Sequence, residues 1–468
     1  MRLVIPLVLL GLGSMITALD FTIVYVALPQ IARDVGFSPY SLQWVVSAYA
    51  VPFGGFLLLG GRLSDMVGRR RMFVLGMLLY GVASLLGGLA ASPGLLICAR
   101  ALQGLGGAVL MPATLSLVVT MFDEGPARNR AMTVWAVCGA SGLSLGALLG
   151  GMLTGVFGWP AVFFVNVPLT VVGAVAAFAV LTPDVARRAG RFDVPGALTG
   201  TAGITGLVFA IAHGAERGWT SAGAVVSFAA AVALLAAFLT IEARTSSPLM
   251  PLRLLANRHT SAAAWAILVY GLTLQCVPYF VTLHFQDVLG YDAMRSGLAF
   301  LGPTLGITAG NLISERLIPL LGLRSTMIFS VLVGVAGTVV LALSLSVGGS
   351  YAGLLVGLVG FGLGAGLSFN TMFILAATGV AAHEQGAVSG LASTVLQAGS
   401  SAGLAVLVAV AGRDTTGLTG EAVRAATADG LRSALLVAAA IAVTGVLAGL
   451  TLPRAARRSP ESETVRGA

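Results

Sequence analysis

Two residues of opposite charge, Asp20 and Arg100, lie deep inside apolar runs of this sequence. An ionisable side chain at the centre of a membrane-crossing helix costs about 3 kcal/mol, so each is a functional candidate by default. The chemistry open to such a pair is proton binding and release. Desolvation disfavours the charged form of a carboxylate and a neighbouring guanidinium favours it, so a change in exposure or pairing changes its hold on a proton. The plainer alternative is a static ion pair that fixes helix packing. On helices near 4–29 and 93–119, Asp20 stands roughly 14 Å and Arg100 roughly 11 Å from the same end, at similar depths. Gly13, Thr17 and Asp20 share one helical face, and Arg100, Gln103 and Gly107 share another. Both faces should turn toward a cavity.

Other polar groups are sparse. A stripe of Gly386, Gly390, Ser393, Gln397 and Ser401 marks one helix, and Asn311 and Asn370 add intramembrane amides suited to interhelical hydrogen bonds. Gly139, Gly142, Gly146, Gly150 and Gly151 fall on another, where positions 142, 146 and 150 form a continuous small face for close helix packing. The segment from Gly61 to Arg71 places Gly61 and Asp65 one turn apart, followed by Gly68 and Arg69. An exposed Asp there could cap the positive end of an opposing helix, although three successive arginines also fit a plain orientation signal. Trp44, Tyr49, Trp135 and Phe280 are candidate linings of an apolar substrate cavity, together with Gln103, Asn370 and Gln397. No GxxxxGK[ST] loop and no HExxH motif occurs, and His213, His259, His284 and His383 lack ligand spacing. Cys98, Cys138 and Cys276 are isolated in apolar spans. No metal, cofactor or hydrolytic energy source is expected, and no enzymatic activity.

The elements that must hold these residues are helices. Of 468 residues 57% are hydrophobic and 9% charged, with mean hydropathy +0.96. A soluble domain carries about 25% charged residues. Apolar stretches of about twenty residues recur throughout, enough to cross a hydrocarbon core of ~30 Å. The short alternating strands of a membrane barrel are absent. Candidate spans lie near 4–29, 42–62, 71–91, 93–119, 131–155, 159–181, 193–213, 221–241, 259–284, 295–317, 324–346, 350–376, 385–411 and 431–452. The first resembles a signal peptide, but its apolar run continues past Asp20 without a cleavage site, so it is expected to be retained. The net charge of +8 comes wholly from arginine, with no lysine, and belongs to loops rather than to a nucleic-acid surface. Arginines concentrate in alternate loops, including Arg62, Arg69–Arg71, Arg128, Arg130, Arg187, Arg188, Arg191 and Arg244. By the positive-inside rule both termini are cytoplasmic. The expected organisation is a six-helix bundle at 1–185, two extra helices at 186–258, a second six-helix bundle at 259–453 and a disordered cytoplasmic tail at 454–468.

These residues resemble the major facilitator superfamily, specifically its fourteen-helix drug:proton antiporters. Leu19 to Pro29 is similar to that group's first-helix signature, and Gly61 to Arg71 to the superfamily's loop motif. Arg100 to Gly104 resembles the helix-four motif, and Gly142 to Gly151 the antiporter motif of helix five. Phe164 to Pro168 and the region from Gln286 to Pro303 also look typical. The resemblance covers nearly the whole chain. It implies two bundles rocking about a central cavity, with export driven by inward proton flow. It assigns coupling to Asp20, a proton-linked network to Arg100, and a cytoplasmic gate to Gly61, Asp65, Gly68 and Arg69. Gly142, Gly146, Gly150 and Gly151 become the antiporter hinge. Three positions depart from the pattern: Ala147 replaces a proline, Pro160 replaces an arginine, and the second-half echo of the loop motif, around Asn311 to Arg324, lacks its Asp.

The leading expectation is therefore a monomeric exporter of hydrophobic drugs or antibiotics in a bacterial inner membrane, energised by protons. A dedicated exporter of one metabolite, or a proton symporter importing a small molecule, is the alternative. A non-transporting scaffold fits less well, because it gives no role to two embedded charges.

Overall fold

Apolar runs surrounded by lipid must satisfy their own backbone hydrogen bonds, and helices do so within a single segment. In the computed structural model every described apolar run is helical, and no strand occurs among the described residues. The structure describes residues 4–122, 126–181, 193–245, 248, 256–380, 385–412 and 418–452. The expected tail at 454–468, the loop with Arg187, Arg188 and Arg191, and His383 lie outside them.

The first half holds α1 (Val4–Val35), α2 (Trp44–Val67), α3 (Arg69–Gly88), α4 (Pro93–Met121), α5 (Pro126–Phe157), α6 (Ala161–Phe164) and α7 (Asn166–Val180). Next come α8 (Val194–Arg217) and α9 (Ala222–Arg244). The second half holds α10 (Arg258–Leu272), α11 (Val277–Leu283), α12 (Ala293–Ala299), α13 (Leu301–Ser344), α14 (Tyr351–Ala377), α15 (Gln385–Ala411), α16 (Glu421–Val443) and α17 (Val446–Leu450). Among the described residues, eleven stretches of helix are long and apolar enough to cross a membrane. Shorter apolar helical segments are Trp44–Leu57 in α2 and Leu145–Phe157 in α5. One stretch, Ala293–Ser344, has 52 residues, about twice a single crossing. It breaks inside α13 at Gly322, whose φ of 78° no helix accommodates.

Three boundaries differ from expectation. Helix α1 continues through Pro29 to Val35 and stops only at Gly36, whose φ is 85°. Asp20 thus sits at mid-helix, farther from that end than the expected span of 4–29 implied. The span expected at 159–181 is interrupted at Val165, between α6 and α7. The span expected at 259–284 is likewise discontinuous. A 3-10 turn at Leu274–Cys276 and a π-helical turn at His284–Val288 flank α11. Such turns often mark functional segments.

Helix α8 lies across the seam between the halves. Val208 and Ile211 pack with Ala405 of α15 and against Trp44 of α2, and Thr201 faces Gly55 of α2. Helix α9 packs on α8, and only 11% of its apolar window is buried, so its surface is left for lipid.

Small residues set how closely α1 and α5 approach. A side chain at Gly142 would meet the Met15 carbonyl at 2.5 Å, at Gly146 the Leu19 carbonyl at 2.5 Å, and at Gly150 the Ile23 carbonyl at 2.6 Å. These obstacles are backbone atoms that cannot swing away. Gly146→Val is expected to destabilise the first half by about 1–3 kcal/mol, checked as a lower melting temperature of the purified protein and less folded protein in the membrane. An unchanged melting temperature would show that α5 is not packed on α1 at this distance.

Candidate functional site

Asp20 and Arg100 meet inside the first half, 0% and 2% exposed. Arg100 Nη1 donates to Asp20 Oδ2 and, at 2.7 Å, to Gln103 Oε1. Arg100 Nε donates to the carbonyl of Val45 at 2.8 Å. Gln103 Nε2 donates to Asp20 Oδ1 at 2.9 Å and to Ser84 Oγ at 3.0 Å. The guanidinium carbon stands 4.5 Å from the centre of the Tyr49 ring and 5.9 Å from that of Phe163. Groups from α1, α2, α3, α4 and α6 therefore converge on one ion pair.

The local sequence explains this convergence. Arg100 and Gln103 are three apart on α4 and so point the same way. A side chain at Gly107 would meet the Tyr49 hydroxyl at 3.1 Å and Phe53 at 3.0 Å, so glycine is what lets α2 close over α4. Phe21 packs edge-on against Tyr49 at 5.1 Å, joining α1 to the same cluster.

The guanidinium is compensated from several sides. Removing two ions from water costs several kcal/mol each, which their mutual attraction must offset. Arg100 keeps compensation beyond Asp20: two oxygen acceptors and two ring faces, each face worth up to about 2 kcal/mol when desolvated. The guanidinium therefore does not depend on Asp20 alone.

Several residues expected in an open cavity are placed elsewhere. Gln103, 0% exposed, belongs to the ion-pair network rather than to a cavity wall. Tyr49 is 1% exposed beneath the guanidinium because the ring is consumed by the cation and by Phe53. Phe280 is fully buried in a core built from both halves, edge-on to Tyr279. Trp44 packs toward α8, and Trp135 donates its indole N–H to Thr114 Oγ1 at 3.2 Å. Asn370 Nδ2 donates to Ser314 Oγ at 2.6 Å, an interhelical bond. Gln397, like Trp44, lies at the seam: a side chain at Gly54 of α2 would meet its Cβ, and its Nε2 has no partner among the described residues.

The helix-five glycines divide. Gly142, Gly146 and Gly150 face α1, but Gly151 faces α12 in the other half, where a side chain would meet the Ala293 carbonyl at 2.6 Å. Gly297 is packed reciprocally on the Ala147 carbonyl at 2.8 Å. Further contacts cross the seam at the end that carries Gly36, Gly158 and Gly290. Gln286 Nε2 donates to the Val26 carbonyl at 2.7 Å, and Gly412 abuts the Tyr40 hydroxyl. Deeper, Thr394 Oγ1 donates to the Gly54 carbonyl at 2.8 Å. The halves are pressed together at that end.

In the loop motif, Gly68 separates α2 from α3 with φ 117°, a value that favours glycine. Gly61 makes only an ordinary contact with Pro112 at 3.6 Å, and the close approach of α2 to α4 falls instead at Gly60, over the Ala108 carbonyl. The Asp65 side chain lies outside the described residues, and Arg69 is engaged by a partner. Sequence reasoning missed Ser84, Phe163 and the Val45 carbonyl. A lone serine in the apolar face of α3 was the only signal available for the first, and a backbone carbonyl leaves none.

Two packed helical halves with a buried charge network fit a membrane transporter, and the comparisons agree. Residues 10–404 match the family model of the Major Facilitator Superfamily, and the chain belongs to that family. It is a multi-pass membrane transporter. Among curated relatives it is 39% identical to the cephamycin export protein CmcT of Amycolatopsis lactamdurans over 89% of this chain and 86% of that one. It is 37% identical to the puromycin resistance protein pur8 of Streptomyces alboniger, covering 94% and 88%. The multidrug resistance protein Stp of Mycobacterium tuberculosis is 33% identical, covering 87% and 75%. The fold is similar to an inward-facing bacterial homologue of the human lysosomal transporter Spinster, with TM-score 0.66 at 18% identity over 97% and 99% of the two chains.

Proposed function

We propose that this chain is a proton-driven exporter of hydrophobic drug-like molecules, antibiotics among them, in a bacterial inner membrane. The observation that carries the reading is the fully buried Asp20 carboxylate, held by Arg100 and Gln103 in a transporter whose relatives are named for antibiotic export and resistance. It works as a monomer with fourteen crossings: the eleven long apolar stretches, α2, α5 and the division of α13 at Gly322. Both termini are cytoplasmic, residues 1–185 and 259–453 form the moving bundles, and 186–258 supply the extra pair.

With that orientation the closed end faces outward and substrate enters from the cytoplasm. Asp20 then binds a proton when the outer end opens and gives it up when the inner end does. Protonation weakens the charge-assisted bonds to Arg100 and Gln103, which hold α1 to α4. One proton moving down 100 mV supplies about 2.3 kcal/mol, enough for roughly a fifty-fold substrate gradient. Gly61, Asp65, Gly68 and Arg69 serve as the cytoplasmic gate, Gly142, Gly146 and Gly150 as the hinge, and Gln397 as a seam-facing polar contact for substrate.

The test is dye and puromycin accumulation in cells lacking their own efflux pumps. Low accumulation that a protonophore raises to the level of cells without the transporter supports the reading, and equal accumulation in both strains contradicts it for those compounds. Two relatives named for single antibiotics favour a narrow-range variant; a panel in which one compound alone is exported would select it.

The outer seam gives a further expectation. Gly151→Leu drives a side chain into α12, so a cysteine introduced near Gly36 should react with an impermeant thiol reagent several-fold faster than in the parent. An unchanged rate would show that Gly151 does not hold the outer end shut.

A further inference from the structure

Asn166 at the start of α7 is 0% exposed, yet neither Nδ2 nor Oδ1 has a hydrogen-bond partner among the described residues. A buried amide with both ends free costs several kcal/mol, and such groups usually signal a functional bond or a bound water. The packing of α7 on α3 shows where the amide is aimed. Gly173 stands against Met77, Thr170 against Gly81, and Phe163 against Gly87. These helices run antiparallel, so Asn166, one turn from both Thr170 and Phe163, falls opposite Ser84. Ser84 is itself 0% exposed, and its Oγ accepts from Gln103.

We propose that Asn166 is a positioning residue for proton coupling, binding Ser84 through one buried water and acting on Asp20 through Gln103. This rests on the role proposed for Asp20. Ser84 uses one lone pair to accept from Gln103 and has its hydrogen free to donate. Donation to that water, itself held by Asn166 Oδ1, polarises the hydroxyl and makes Oγ a better acceptor for Gln103. Gln103 Nε2 is thereby shared between Ser84 and the Asp20 carboxylate, and Asn166 sets the division. The charged and titratable groups around this relay are Asp20 on α1, Tyr49 on α2, Tyr80 on α3 and Arg100 on α4. Helix α7 contributes none.

Asn166→Leu keeps the volume and removes both polar atoms. Gln103 then turns more fully to the carboxylate, which favours the ionised form. The midpoint of the pH profile of puromycin efflux in proteoliposomes is expected to move toward lower pH by roughly half a unit. Asn166→Ala serves if the leucine variant does not reach the membrane, and should move it the same way. Adding Asn166→Leu to Ser84→Ala should shift the midpoint no further than Ser84→Ala alone, because the relay runs through that hydroxyl. An unmoved midpoint in the Asn166 variants, or fully additive shifts, overturns the proposal. Asp20→Asn in the same assay separates the two readings. If it retains proton-driven efflux, the role of Asp20 is what fails; if it abolishes efflux while the Asn166 variants keep the parent midpoint, only this relay fails.

Discussion

Cells producing Asp20→Asn are expected to accumulate puromycin or dye as fully as cells with no transporter, a loss of at least about ten-fold in efflux rate. Asparagine preserves the shape of the side chain and one acceptor oxygen, so one of the two donors, Arg100 or Gln103, keeps its acceptor while the other faces the amide NH2. What it removes is the capacity to bind and release a proton. The variant should nonetheless reach the membrane. Arg100 retains Gln103 Oε1, the Val45 carbonyl and the faces of Tyr49 and Phe163, so the lost charged partner costs about 1–3 kcal/mol rather than the full price of a stranded ion. Membrane levels by immunoblot and a melting curve of the purified variant separate this outcome from misfolding. Normal, protonophore-sensitive efflux in Asp20→Asn would mean that the carboxylate only fastens α1 to α4.

The second large effect is expected at Arg100, and it should fall on stability as well as transport. Arg100→Met replaces the stem with a flexible apolar chain and leaves Asp20, 0% exposed, with Gln103 as its remaining described donor. An unpaired buried charge costs about 3–5 kcal/mol. The carboxylate escapes this cost by keeping its proton, and then cannot release it to the cytoplasm. Efflux should be lost and the melting temperature should drop by several degrees. Adding Asp20→Asn to Arg100→Met should recover much of that stability without recovering transport, since removing both members of a buried pair is far milder than removing one. Arg100→Lys should not rescue efflux, because a single ammonium cannot serve Asp20, Gln103 and Val45 in the planar fork that guanidinium provides. A double variant less stable than Arg100→Met would contradict a paired role.

The helical class and the Asp20–Arg100 pair were legible for the same reason. Charge is so rare in these apolar runs that each instance stands out, and helical spacing places Gln103 on the Arg100 face. Partner choice was less legible. A polar stripe announces a neighbour but not which one, so Gln103 read as cavity lining, whereas it fills the second oxygen of Asp20. Aromatic residues carried even less information. Tyr49 and Phe280 are equally suited to lining a cavity, to covering a cation or to packing a core, and only the tertiary arrangement separates these uses. Glycines likewise revealed close packing without direction: Gly150 and Gly151 are adjacent in sequence but serve α1 and α12. The length of α1 was not legible, since the helix carries on through Pro29 and ends only at Gly36, whose φ of 85° turns the chain.

Proton release on substrate binding tests the central claim most directly. Purified protein in weakly buffered detergent, with a pH indicator present, would be mixed with puromycin near neutral pH. If the Asp20 carboxylate exchanges its proton for substrate, the parent protein releases up to one proton per molecule and Asp20→Asn releases none while still binding the drug. Equal release from both proteins would place the coupling group elsewhere and contradict the account.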